Sequence, residues 1–164
     1  TDIEFLLIGA GDAYESSRKL RDELGLERVV HMTGMLLWPE AAARLARADI
    51  CIQPDTPTLF NRYLTMNKLM EYMALGKPSI AYDMPETRFS GGDAVVYLED
   101  HAPEALAAAI ARLADDPQLR AELGRRGRER IESMLCWERQ QAALLGVYRK
   151  LLPMRPLKII SRPL

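Results

Sequence analysis

A lysine and a glutamate three residues apart, Lys68 and Glu71, form the most chemically suggestive grouping in the chain, with Asn67 four residues before the glutamate. Lys68 falls in what the pattern reads as the first turn of a helix. There the helix dipole and the free N–H groups already favour negative charge, so a cation calls for an anion nearby. A phosphate at that helix end would supply it, and Glu71, one turn further in, would accept hydrogen bonds from hydroxyl groups of the same ligand. The alternative is that Lys68 points to water with Glu71 as its solvated i+3 neighbour, and spacing alone leaves both open. A second grouping is Gly9-Ala10-Gly11 at the end of an apolar run. It fits a tight strand-to-helix turn or half of a dinucleotide fingerprint, whose third glycine is here Tyr14.

The helix that must position Lys68 and Glu71 is sharply bounded. Met66, Leu69, Met70, Met73 and Ala74 recur at i, i+3, i+4, i+7 and i+8, a stripe that packs on a core, so Asn67 and Glu71 share the opposite face. Thr65 is the expected N-cap and Gly76 the expected C′ residue, with Pro78 soon after to stop the helix.

Around that helix the chain alternates. Ile3 to Ile8 reads as a strand and Tyr14 to Leu24 as a helix; Arg28 to Thr33 is a second strand, and Pro39 opens a helix at N1. Ile50-Cys51-Ile52 is a third strand, followed by a polar loop from Pro54 to Tyr63. Ser79 to Tyr82 is a fourth, Asp83 to Gly92 a loop with a Gly91-Gly92 turn, and Ala94 to Tyr97 a short fifth strand. From Pro103 the chain becomes helical: Pro103 to Ala114, Pro117 to Ser133 capped by Asp116, and Trp137 to Leu152. Arg120, Arg125, Arg126, Arg128 and Arg130, interleaved with glutamates, read as a solvated helix surface. Repeated βα units with buried strands imply a Rossmann-like α/β fold, a mainly parallel sheet with helices on both faces. Ligands of such sheets bind beyond the strand C-terminal ends. The organisation expected is one domain over 1–152 and a tail over 153–164.

Composition narrows the classes. A formal charge of -1 over 164 residues argues against a nucleic-acid partner. No run approaches the ~20 apolar residues of a membrane span, and the N-terminus lacks a signal-peptide layout. Cys51 and Cys136 have no metal-ligand or disulfide-framework spacing and read as buried, unbonded thiols in a reducing compartment.

The run Asn67-Lys68-Leu69-Met70-Glu71-Tyr72-Met73-Ala74-Leu75-Gly76-Lys77-Pro78 resembles the NK-x-x-EYMA-x-GKP segment of the group 1 (family 4) glycosyltransferases, in the C-terminal half of their GT-B fold. Ile8-Gly9-Ala10-Gly11, Met32-Thr33-Gly34, Ala48 to Pro54, Trp137 and Tyr148 support it, and the resemblance covers nearly the whole chain. It implies a domain that binds a UDP- or GDP-like sugar donor for transfer to a glycan, lipid or small molecule. Glu71 would bind the ribose hydroxyls and Lys68 the diphosphate. Tyr63, Leu64, Thr65, Met66 and Asn67 would lie against sugar and diphosphate. The base would sit after Gly34, at Met35, with Gly11 at the neighbouring strand end. No catalytic residue is assigned, and no metal or cofactor is expected, because basic groups and the helix dipole would neutralise the leaving diphosphate.

Two departures accompany the resemblance. Where family members often carry a glutamate that contacts the transferred sugar, this chain has Tyr63. The arginine and lysine that hold the diphosphate in similar enzymes lie before the segment matching Glu4 to Gly11, and the acceptor site lies on a separate N-terminal domain; neither is in this chain. The expectation is therefore a GT-B C-terminal domain lacking its first βα unit, unable to transfer sugar alone. In the strand order 3-2-1-4-5-6, a gap or a forced closure would stand between Ile3 to Ile8 and Asp49 to Gln53. The full-length enzyme is expected to be cytoplasmic, with peripheral membrane association as one option. The competing readings are a nucleotide-sugar epimerase of related fold and a non-catalytic α/β interaction module.

Overall fold

The computed structural model describes residues 3–152; the expected tail at 153–164 lies outside the described residues. Strands and helices alternate as β1 (Phe5–Leu7), α1 (Tyr14–Glu23), β2 (Val30–Met32), α2 (Trp38–Leu45), β3 (Cys51–Gln53), α3 (Asn67–Ala74), β4 (Ser79–Tyr82), α4 (Pro85–Gly91) and β5 (Val95–Leu98). Three helices follow: α5 (Pro103–Asp115), α6 (Pro117–Arg130) and α7 (Trp137–Leu151), the last two joined by a π-helical turn over Ile131–Leu135. Among these helices, none is long and apolar enough to cross a membrane.

Every strand pair is parallel, as connections through helices require. The strands form two sheets, β1-β2 and β3-β4-β5, and β1 does not pair with β3. β1, paired on one side only, has Phe5, Leu6 and Leu7 37–42% exposed, whereas all four residues of β4, paired on both sides, are buried.

The three-stranded sheet is covered on both faces. On one, Ala81 and Val95 pack with Leu69 and Met73 of α3; on the other, Ile80 packs with Ala109, Ile110 and Leu113 of α5 and Leu123 of α6. Alternation along β4 sends Ile80 and Ala81 to opposite clusters, as the period of a strand dictates. The apolar stripe of α3 is as expected at its centre, where Leu69 and Met73 are fully buried, while Met66, Met70 and Ala74 are half-buried.

Three local expectations are corrected. Asp83 to Gly92 is not a loop: Pro85 sets the first turn, Glu86 complements the dipole, and α4 ends at Gly92, whose φ of 59° only glycine adopts readily. Low-propensity Thr87, Ser90 and Gly91 stay helical there because all three are buried. Pro39 is the second residue of α2, after Trp38, rather than the first. Thr65 does not cap α3. The N-cap position belongs to Met66 and receives no side-chain bond, and the Thr65 hydroxyl donates to Glu86 Oε2 at 3.0 Å.

The arginine-rich face of α6 is only partly a solvated surface. Arg125 and Arg126 pair with Glu122 within the helix. Arg120 instead donates to the Leu113 and Ala114 carbonyls at the end of α5, Arg128 to the Ala74 carbonyl at the end of α3, and Arg130 to the Phe89 and Ser90 carbonyls at the end of α4. Each places a cation on the orphan carbonyls and the negative pole of a different helix.

Candidate functional site

The C-terminus of α3 is fixed first, and it fixes the helix's direction. Gly76, at φ 66°, occupies C′; its N–H reaches the Met73 carbonyl at 2.9 Å and the Lys77 N–H reaches Tyr72 at 3.0 Å, a Schellman closure. Gly124 and Gly127 of α6 sit against this end, where the Gly76 backbone and the Met73 side chain leave no room for a Cβ without displacement. Held from behind, α3 presents its N-terminus beyond the C-terminal ends of β3 and β4.

The anion that the first-turn lysine calls for is Asp55. Lys68 Nζ donates to Asp55 Oδ2 at 2.6 Å, with both side chains partly exposed. This clasp holds the start of the loop between β3 and α3, and the Thr65–Glu86 bond holds its end against α4. Within the loop, Asn61 Nδ2 donates to the Thr56 carbonyl at 2.9 Å, and the Asn61 N–H to Thr58 Oγ1 at 3.0 Å. A 3-10 turn over Asn61–Tyr63 follows; Leu59 and Phe60 just before it and Tyr63 within it are exposed to solvent. Leu64 is half-buried, between this turn and Thr65.

Asn67 and Glu71 lie one turn apart on α3. Among the described residues, neither side chain makes a hydrogen bond or ion pair, although Glu71 is half-buried. On the inner side, the Tyr72 hydroxyl donates to the Ile52 carbonyl at 3.5 Å, and burial pushes its pKa up to about 12; burial likewise pushes the Cys51 thiol up to about 11. Both are neutral near pH 7. The charged side chains at this end of α3 are thus Lys68, Asp55 and Glu71, with Glu86 on the Thr65 hydroxyl. Cys51 and Cys136 are unbonded, as their spacing suggested; Cys51 is buried as expected, whereas Cys136, at the N-cap of α7, is only partly so.

Gly11 and Met35 sit elsewhere, at the C-terminal ends of β1 and β2. Those ends are tied by the Gly9 N–H donating to the Gly34 carbonyl at 3.0 Å, with Gly34 at φ 69° turning the chain. Met35 is 74% exposed, and Gly11 accepts the Tyr14 N–H at the start of α1. The structure therefore gathers Thr65, Met66, Asn67, Lys68 and Glu71 around one helix end. It keeps Gly11 and Met35 as a second group on the other sheet, at the same, C-terminal, side of their strands. Two open surface concavities, about 710 Å3 along α1 and about 410 Å3 at the turn between α6 and α7, are lined by neither group.

Sequence reasoning missed Asp55, Glu86 and Gln53. For the first two no local pattern marks the pairing, since each partner is more than ten residues away. Gln53 did carry a signal, as a lone amide at a strand position that period-2 alternation turns inward with Cys51.

Comparison with known proteins follows the same lines. The profile described as "Glycosyl transferases group 1" matches residues 1–116. An MMP alpha-(1->4)-mannosyltransferase of Mycolicibacterium hassiacum is 30% identical over 153 residues, 91% of this chain and 36% of the relative. Sucrose-phosphate synthase of Thermosynechococcus elongatus superposes with a TM-score of 0.74 at 25% identity, over 89% of this chain and 38% of its own. The Anabaena HepE protein, solved in complex with UDP, superposes with a TM-score of 0.71 at 18% identity, over 89% of this chain and 41% of its own. The chain spans about a third of the length of the curated relatives it matches.

Proposed function

The chain belongs to the group 1 glycosyl transferases, with the α/β fold of their GT-B structures, and on that premise we propose that it binds the nucleotide-sugar donor of a sugar transferase. The donor is a UDP- or GDP-like sugar. Its diphosphate meets the uncapped first turn of α3, where the amide groups and the helix dipole favour an anion. Lys68 turns from Asp55 to the phosphate oxygens. Glu71 accepts the ribose hydroxyls, Asn67 and the segment from Tyr63 to Met66 border the sugar, and the base lies toward Met35 and Gly11. Neutralisation by Lys68 and the helix end supports departure of the diphosphate without a metal. The acceptor, a glycan, lipid or small molecule, is bound by sequence outside these residues, across a cleft from α3.

The observation that carries this reading is Glu71: a half-buried carboxylate with no partner among the described residues, one turn from an uncapped helix start that already holds a cation. A carboxylate in that position is ready to accept hydroxyl donors. The UDP complex of the structurally similar HepE supports the ligand class. The test is calorimetric titration of the intact protein with UDP, GDP and their sugars. Saturable binding that Glu71→Ala weakens about tenfold or more, the scale of one or two charge-assisted hydrogen bonds, is expected. Binding that Glu71→Ala leaves unchanged would remove Glu71 from the site, and no response to any of these ligands would leave an interaction module.

A further inference from the structure

Gln53 is the one large polar side chain among those completely enclosed in the described core, at 1% exposure, and neither its Oε1 nor its Nε2 has a hydrogen-bond partner. Burying an unpaired amide is costly, so an orphan of this kind calls for an explanation. Its place is informative. Its register partner on β4 is Ala81, which packs with Leu69 and Met73, so Gln53 faces α3. Two contacts bracket it: Tyr72 on Ile52 before it, and Lys68 on Asp55 after it. The amide therefore faces α3 from a strand position two residues before the Asp55 that Lys68 clasps.

We propose that the Gln53 amide reads two neighbouring hydroxyls of the donor's sugar; this rests on the donor-site reading above. An amide sets one acceptor beside one donor group, and both are unmet here. A phosphate oxygen only accepts and would leave Oε1 orphaned. A pair of adjacent sugar hydroxyls, each able to give and to take a proton, satisfies both atoms. Access follows from the clasp: Lys68 ties the start of α3, the helix that Gln53 faces, to Asp55, two residues after Gln53, so turning Lys68 to the diphosphate releases that tie beside the amide.

The test compares the intact protein with Gln53→Met, which keeps the volume and removes the amide, in thermal unfolding and in titrations with UDP, GDP, UDP-glucose and GDP-mannose. Losing two neutral hydrogen bonds should weaken the preferred nucleotide-sugar about tenfold and leave the matching free nucleotide unchanged. Removing the orphan should raise Tm in the absence of ligand by about 2–4 °C. A lower Tm overturns the proposal, because it means the amide is already satisfied and structural. So does equal binding of the sugar nucleotide by both proteins, or equal loss for the free nucleotide, which assigns the amide to diphosphate or base. Absence of any nucleotide binding by the unmutated protein overturns the donor-site reading and this inference together, whereas binding with an unaffected Gln53→Met overturns this inference alone.

Discussion

Gly124→Ala should destabilise the protein, although alanine is the better helix former. A Cβ built at Gly124 lies 2.2 Å from the Gly76 carbonyl oxygen and 3.1 Å from its carbonyl carbon. Both are backbone atoms of the Schellman closure that ends α3, so no side chain can swing aside. The contact must open by close to an ångström, which lifts α6 from α3 and loosens Gly127 against Met73. Overpacking of this kind costs about 3 kcal/mol at its upper range, and the propensity gain returns about 1 kcal/mol. The net loss of about 2 kcal/mol corresponds to a fall in Tm of about 4–8 °C for a chain of this size. The internal control is Gly146→Ala in α7, where nothing lies within 4 Å of the added methyl. There the propensity term acts alone and stability should rise by up to about 1 kcal/mol. Thermal and urea unfolding of both variants, read by circular dichroism, measure the pair. A Gly124→Ala protein as stable as the parent would refute the claim that the α3–α6 contact is set by backbone proximity.

Other perturbations probe the same framework. Arg130→Met removes the two hydrogen bonds that close α4 and should cost about 1–2 kcal/mol in urea unfolding, half-exposed charge-assisted bonds being worth less than buried ones. Glu122 is held at a pKa of about 2, below its ordinary 4.5, first by hydrogen bonds from Arg125 and then from Arg126. Its folded pKa is depressed, so its contribution is fully present above pH 4.5 and is lost as pH falls toward 2. Glu122→Gln should therefore flatten the fall of Tm across that window and leave the profile above it parallel to the parent's. Cys51, buried and with its thiol raised to about 11, should resist iodoacetamide at pH 8 while Cys136, half-exposed, is alkylated; intact-mass and peptide mapping would reveal the reverse order.

What the sequence determined on its own is whatever depends on neighbours within a few residues. The α3 stripe of Leu69 and Met73, the Gly76 stop, the Asp116 cap on Leu119 and the strand from Ser79 to Tyr82 all follow from local periodicity and end chemistry, and all stand in the structure as read. The family could be read there too, because its motif lies in one continuous run. Only the tertiary structure decided the rest. Thr87, Ser90 and Gly91 look like a turn in isolation and become a helix because packing encloses them. Arg120, Arg128 and Arg130 look like surface charge, and become the closures of three other helices because α6 crosses their ends. Lys68 announced that it needed an anion, but which anion depended on a loop folding back thirteen residues to bring Asp55 to 2.6 Å. Gln53, a lone amide in the sequence, is enclosed because its strand position faces α3. Contacts of long sequence separation leave no periodic trace in a single chain, and those are the contacts that assemble this site.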